Sequence, residues 1–110
     1  MERVVITGMG ICSCIGNTLE SVLNALQNGA SGIKKQPEYA ARNFKSHLAG
    51  APVIDLHAAI PRKLKRFMGD AAAYSYLAMQ SAIAHAALTK DQITSPMTGV
   101  IVGSGSTAAS

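Results

Sequence analysis

Two β-branched runs, each closed by a glycine, frame this chain: Val4-Val5-Ile6-Thr7 before Gly8, and Val100-Ile101-Val102 before Gly103. Val, Ile and Thr are stiff at χ1 and favour extended backbone. A run of them without polar alternation suits a strand buried on both faces, as in a largely parallel sheet. Parallel neighbours need a crossover of a dozen or more residues, and helical patterns occupy the interval between the two runs. The predicted order is strand, helix, irregular basic segment, helix, strand, which is a βαβ-type unit with an insertion and places the chain in the α/β class. With 110 residues it holds one small domain at most. Ending just after a strand and a Gly-rich turn, without the helix that should follow, is the pattern expected of a piece of something longer.

The first helix is predicted to start at a cap on Asn17 or Thr18, with Glu20 in its first turn. Val22, Leu23 and Leu26 supply its apolar face, and Gly29 stops it. Residues 31–50 are mixed and basic and read as a surface loop with one short element at most. Pro52-Val53-Ile54 reads as a short strand, and Pro61 suits the first turn of a basic helix that breaks near Gly69. Asp70 is the predicted cap of a long helix, whose apolar positions Ala72, Tyr76, Met79, Ile83 and Ala86 recur at spacings of four and three. Alanine fills most of its other positions, so packing on more than one side is expected. The stretch from Leu88 to Pro96 reads as a linker.

Charge is unevenly distributed. Lys34, Lys35, Arg42, Lys45, Arg62, Lys63, Lys65 and Arg66 face only Glu38 and Asp55 within their segment, a local excess of +6 in a chain of net +4. Such a region attracts an acidic partner: a protein, a nucleic acid or a membrane surface. Its sharpest part is Arg62, Lys63, Lys65 and Arg66. On a helix Arg62, Lys65 and Arg66 share a face at i, i+3, i+4, with Lys63 beside them. An ordinary charge run is a solvated face; the lack of interspersed acids points instead to a surface that meets negative charge. Phe67 is the lone aromatic there, which argues against single-stranded nucleic acid.

Other chemistries find little purchase. Cys12 and Cys14 lack C-x-x-C spacing and neighbouring histidines, so they read as small buried side chains in a reducing, cytoplasmic setting. Gly8-Met-Gly10 and Gly103-Ser-Gly105 each follow a predicted strand, but the first has Ser13 where a dinucleotide fingerprint has Gly or Ala and no acid about 20 residues on, and the second, though Ala108 fits the third position, has no helix or second strand after it to test one. His47, His57 and His85 are scattered, and no Walker lysine or G-x-S-x-G elbow is present. The start has no positively charged leader. The Ala71–Leu88 stretch contains Ser75, Gln80, Ser81 and His85, which fits a buried helix better than a membrane span.

Taken together and in order, these pieces resemble a known family. Val4 to Ile11, Ile15-Gly16-Asn17 and Gly29-Ala30-Ser31-Gly32-Ile33 look like the opening of β-ketoacyl-acyl-carrier-protein synthases. Arg62 to Ala71 resembles the type I branch more than the type II branch, and Val100 to Gly105 matches the family's strand and Gly-Ser-Gly turn. The resemblance covers essentially the whole chain and implies the N-terminal segment of the synthase N-terminal domain: part of a thiolase-like fold with layered α-β-α-β-α architecture. The family works as a homodimer in fatty-acid elongation, condensing an enzyme-bound acyl chain with malonyl-carrier protein, and takes no cofactor.

By the same resemblance the nucleophilic cysteine and its two histidines lie beyond this chain, so it holds no catalytic residue and is expected to be inactive alone. Arg62, Lys63 and Arg66 match the basic patch that receives the acidic helix of the acyl carrier protein; Lys65 joins them where the branch is often apolar. Ser106 falls where the family places a small residue near the acyl pocket at the dimer interface. Ala87 stands where a glycine usually ends the long helix. Neither nucleic acid nor membrane is an expected partner. The alternative is a small stand-alone basic module that binds an acidic protein or nucleic acid.

Overall fold

The computed structural model describes residues 1–105, so Ser106 lies outside the described residues. The chain divides into two units, Cys12–Ile54 and the combination of Met1–Ile11 with Asp55–Ser110.

In the unit Cys12–Ile54, a loop closed by reciprocal backbone bonds between Ser13 and Gly16 leads into α1, Leu19–Gln27. Of the two expected caps Thr18 is the one used: its side chain accepts from the Ser21 N–H while the Ser21 hydroxyl reaches back to the Thr18 N–H, satisfying two donors that the helix leaves open. Gly29, at φ +61°, turns the chain out of the helix as expected. The segment 31–50 is more ordered than a loop. It forms β1 (Ile33–Lys35), α2 (Pro37–Ala41) and β2 (Leu48–Gly50), with β1 and β2 antiparallel in the register Ile33↔Gly50, Lys34↔Ala49, Lys35↔Leu48. Neither short strand carries the alternation that marks one from sequence; the ladder creates them. Tyr39 and Phe44, with ring centroids 5.2 Å apart, cover the turn after α2. The expected strand at Pro52-Val53-Ile54 does not form. Pro52 has no N–H for a ladder, and the Val53 carbonyl accepts from the Asn17 side-chain amide at 2.9 Å.

In the other unit, α3 (Leu56–Ala59) packs on α5 (Asp70–Ala86) and is joined to it through α4 (Arg62–Lys65). Leu56, Ile60 and Ala73 are the buried side chains. Asp55 caps α3 by accepting from the N–H groups of His57 and Ala58. The long helix begins one residue earlier than expected: Gly69 is its cap, without a side-chain bond, and Asp70 is its first residue. There the carboxylate lies at the positive end of the helix dipole. Ala73 rather than Ala72 is the buried position, and residues 74–79 are all half-buried, so the helix packs on more than one side. At 3.6 residues per turn Ala78, Ala82 and Ala86 lie about half a turn round from Ala73. On that second side run Gly8 and Gly10. A Cβ on Gly8 would sit 2.5 Å from the Ala82 carbonyl oxygen and 2.7 Å from the Ala86 Cβ, and one on Gly10 would fall on the Ala78 carbonyl oxygen. Between them the Met9 N–H donates to His85 Nδ1 at 3.0 Å.

The two β-branched runs join no ladder among the described residues, and Val4, Ile6, Val100 and Ile101 are exposed. The only sheet among the described residues is therefore the antiparallel pair, not the expected parallel one. Side-chain stiffness sets an extended backbone, but a strand requires a hydrogen-bonding neighbour as well. The expected linker at 88–96 contains α6, Lys90–Ile93, whose cap Thr89 exchanges bonds with Gln92. Thr89-x-x-Gln92 is a capping box visible in the sequence and outweighed there by the polar composition.

The end of α5 and the side packed by Gly10 yield two expectations. Ala87 adopts φ 53°, ψ 39°, the left-handed region where a side chain costs about 1 kcal/mol. Ala87→Gly should raise stability by about 1 kcal/mol in urea unfolding. Gly10→Ala should lower it by about 2–3 kcal/mol, because the added methyl meets helix backbone that cannot yield.

Candidate functional site

The buried Ile60 anchors the end of α3, and Pro61, extended at φ −54° and ψ 132°, swings the chain into α4. The basic turn is thereby placed on a fixed base with little side-chain burial of its own. Arg62, Lys63 and Arg66 are exposed. Lys65 is not: its side chain is only 14% accessible, and Nζ donates to the Met68 carbonyl at 3.2 Å and lies 3.6 Å from Asp70 Oδ1. The expected four-residue face thus separates into three outward cations and one that fastens α4 to the start of α5. Asp70 remains 74% accessible, so water screens this pair and its contribution is at most modest. Among the described residues it is the only ion pair; Arg62, Lys63 and Arg66 have none.

Arg66 ends α4, its N–H directed to the Arg62 and Leu64 carbonyls, and its guanidinium stands 4.6 Å from the centroid of the Phe67 ring. Arg62 and Arg66, four residues apart, are neighbours on one side of the turn. The grouping needs no strained backbone and leaves its charge uncompensated, the condition for attracting an acidic surface. The sequence reading identified the three outward cations. The inward turn of Lys65 was not expected, although Asp70 five residues on was a visible partner, and Phe67 entered only as the exception to a lack of aromatics.

A cavity of about 350 Å³ opens at the start of α5, lined by Gly69, Ala71, Ala72 and Ser75 and by Val102, Gly103 and Ser104 of the Gly-Ser-Gly turn. Ser106, the expected acyl-pocket residue, follows this turn outside the described residues.

Cys12 and Cys14 are unpaired and half-buried. Burial pushes the Cys12 thiol above its ordinary range, which disfavours the nucleophilic thiolate. His47 lies in the loop before β2 and His57 in α3, and His85 is engaged with Met9. Among the described residues no group of three or more His, Cys, Asp or Glu side chains is placed to hold a metal ion, and no helix is long and apolar enough to cross a membrane.

Comparison with known proteins decides the family. The description of the β-ketoacyl synthase N-terminal domain matches residues 1–110. The chain belongs to the β-ketoacyl synthase family. Over 109 residues it is 50% identical to 3-oxoacyl-[acyl-carrier-protein] synthase 1 of Haemophilus influenzae, covering 99% of this chain and 27% of that protein. The Escherichia coli synthase 1 is 43% identical over 106 residues, covering 96% and 26%. Synthase 2 of Vibrio harveyi is 36% identical over 105 residues, covering 94% and 25%. These figures place the chain nearer the first type of synthase than the second, as the Arg62–Ala71 segment indicated. Among solved structures, a β-ketoacyl synthase from Burkholderia phymatum superposes with a TM-score of 0.67 at 33% identity, covering 84% of this chain and 23% of that one. The chain spans about a quarter of the length of the curated relatives it matches.

Proposed function

We propose that this chain is the opening segment of a fatty-acid-elongating β-ketoacyl-acyl-carrier-protein synthase, and that within it Arg62, Lys63 and Arg66 dock the carrier protein. The whole enzyme forms a carbon–carbon bond: the carbanion released when malonyl-carrier protein loses carbon dioxide attacks the acyl thioester held on an enzyme cysteine, and that thiol leaves. Residues 1–110 contribute scaffold and docking, with the nucleophile supplied elsewhere in a homodimeric, layered thiolase-like enzyme. The observation that carries this reading is the trio of exposed cations without an ion-pair partner among the described residues, in a family whose members are named for the carrier protein they act with. Family membership favours it over a free-standing basic module. The raised Cys12 thiol supports leaving that cysteine out of the chemistry.

Each exposed pair formed with an acidic helix is worth about 0.2–1 kcal/mol, so the trio acts jointly, steering approach and orientation more than setting raw affinity. In a complete synthase containing this segment, reversing Lys63 and Arg66 to Glu should raise KM for a carrier-linked acyl substrate about tenfold. The same change should flatten its salt dependence, because exposed charges are screened over about 8 Å at physiological ionic strength. A small acyl thioester without the carrier should react at an unchanged rate. Equal losses on both substrates would make the patch a support of the fold; no loss on either would make it an ordinary solvated face.

A further inference from the structure

We infer that Phe67 is the apolar contact of this docking surface, meeting a hydrophobic side chain carried among the acids of the carrier protein's docking helix. The inference rests on the carrier-docking reading above. Phe67 is 78% exposed, so its ring contributes little to the interior of this unit. Leu64, 42% exposed, lies three residues earlier on the same turn, and the Phe67 N–H donates to its carbonyl at 3.1 Å. Leu64 and Phe67 are thus two exposed apolar side chains on one turn, each next in sequence to an outward cation, Lys63 and Arg66. The Arg66 guanidinium lies 4.6 Å from the ring centroid, which places the aromatic face and the charge side by side before any partner arrives. That arrangement lowers the ordering cost of binding.

The partner chemistry follows from the combination. A purely acidic surface would be served by three cations alone. An aromatic ring fixed among them is complementary to a helix on which an apolar residue projects between carboxylates. Aromatic and Arg side chains are the residue types that concentrate binding energy at interfaces. The two kinds of contact also leave different signatures. Charges set the encounter rate and respond to salt, whereas burial of an apolar ring prolongs the complex and is far less sensitive to salt.

The test uses a complete synthase containing residues 1–110, with a carrier-linked acyl substrate and a small acyl thioester, each at low and high salt. Phe67→Ser should raise KM for the carrier-linked substrate roughly five- to tenfold, leave its salt dependence intact and leave the small thioester unaffected. Phe67→Leu should restore most of the loss. If Phe67→Ser changes nothing while the Lys63 and Arg66 reversal raises KM, docking by charge stands and the role given to Phe67 is wrong. Losses on both substrates, or a lowered melting temperature, would mean that the synthase's own chain covers the ring, which also overturns the inference. If neither the Ser variant nor the reversal affects the carrier-linked substrate, the docking reading itself falls.

Discussion

The close approach of Gly8 and Gly10 to one side of α5 is the constraint on which the unit bearing the basic turn depends. Hydrogen atoms in place of Cβ atoms let extended backbone lie against Ala78, Ala82 and Ala86 with no room for a methyl group. The Met9 N–H bonded to His85 Nδ1 sets the position along the helix. With that side of α5 occupied by backbone, Ala73 is buried on the other, and α3 packs against the same helix. Ile60 then fixes where the chain leaves α3, and α4 follows at once. A surface turn of four residues has its place because the helix beside it is held on two sides by small residues.

Charge is sorted on the same scaffold. Lys65 turns inward, its Nζ donating to the Met68 carbonyl and lying near the Asp70 carboxylate in the first turn of α5. Removing one cation from the face leaves Arg62, Lys63 and Arg66 without an acid among the described residues. Like charges so close destabilise the isolated turn slightly. The Arg66–Phe67 pair adds a partly apolar feature to the three outward cations.

Much of this was legible in the sequence because it depends on local chemistry. The cap at Asn17 or Thr18 and Gly29 bracket α1, the Ala-rich period marks α5, and the clustered cations mark the basic turn. Ala87, where the resemblance led to a glycine, is in the left-handed conformation that glycine suits. What escaped depends on partners distant in sequence or on weak signals. β1 and β2 are three residues each and become strands only by pairing with one another. The β-branched runs at Val4 and Val100 specify extended backbone, but no residue in either run supplies the neighbour that would make it a strand. The inward turn of Lys65 arises from the break at Gly69, which brings Asp70 back within reach. α6 was legible through its capping box, but polar composition obscured it.

The central claim is that the α4 turn meets an acidic carrier protein. A photoreactive amino acid in place of Leu64, which is exposed beside Lys63, tests it while leaving all three outward cations intact. Irradiated with an acyl carrier protein, a complete synthase carrying this label should crosslink to the carrier's acidic helix. Raising the salt to about 1 M, where the Debye length falls to about 3 Å, should reduce the yield several-fold. Crosslinks spread over the carrier surface, or a yield indifferent to salt, would contradict the account.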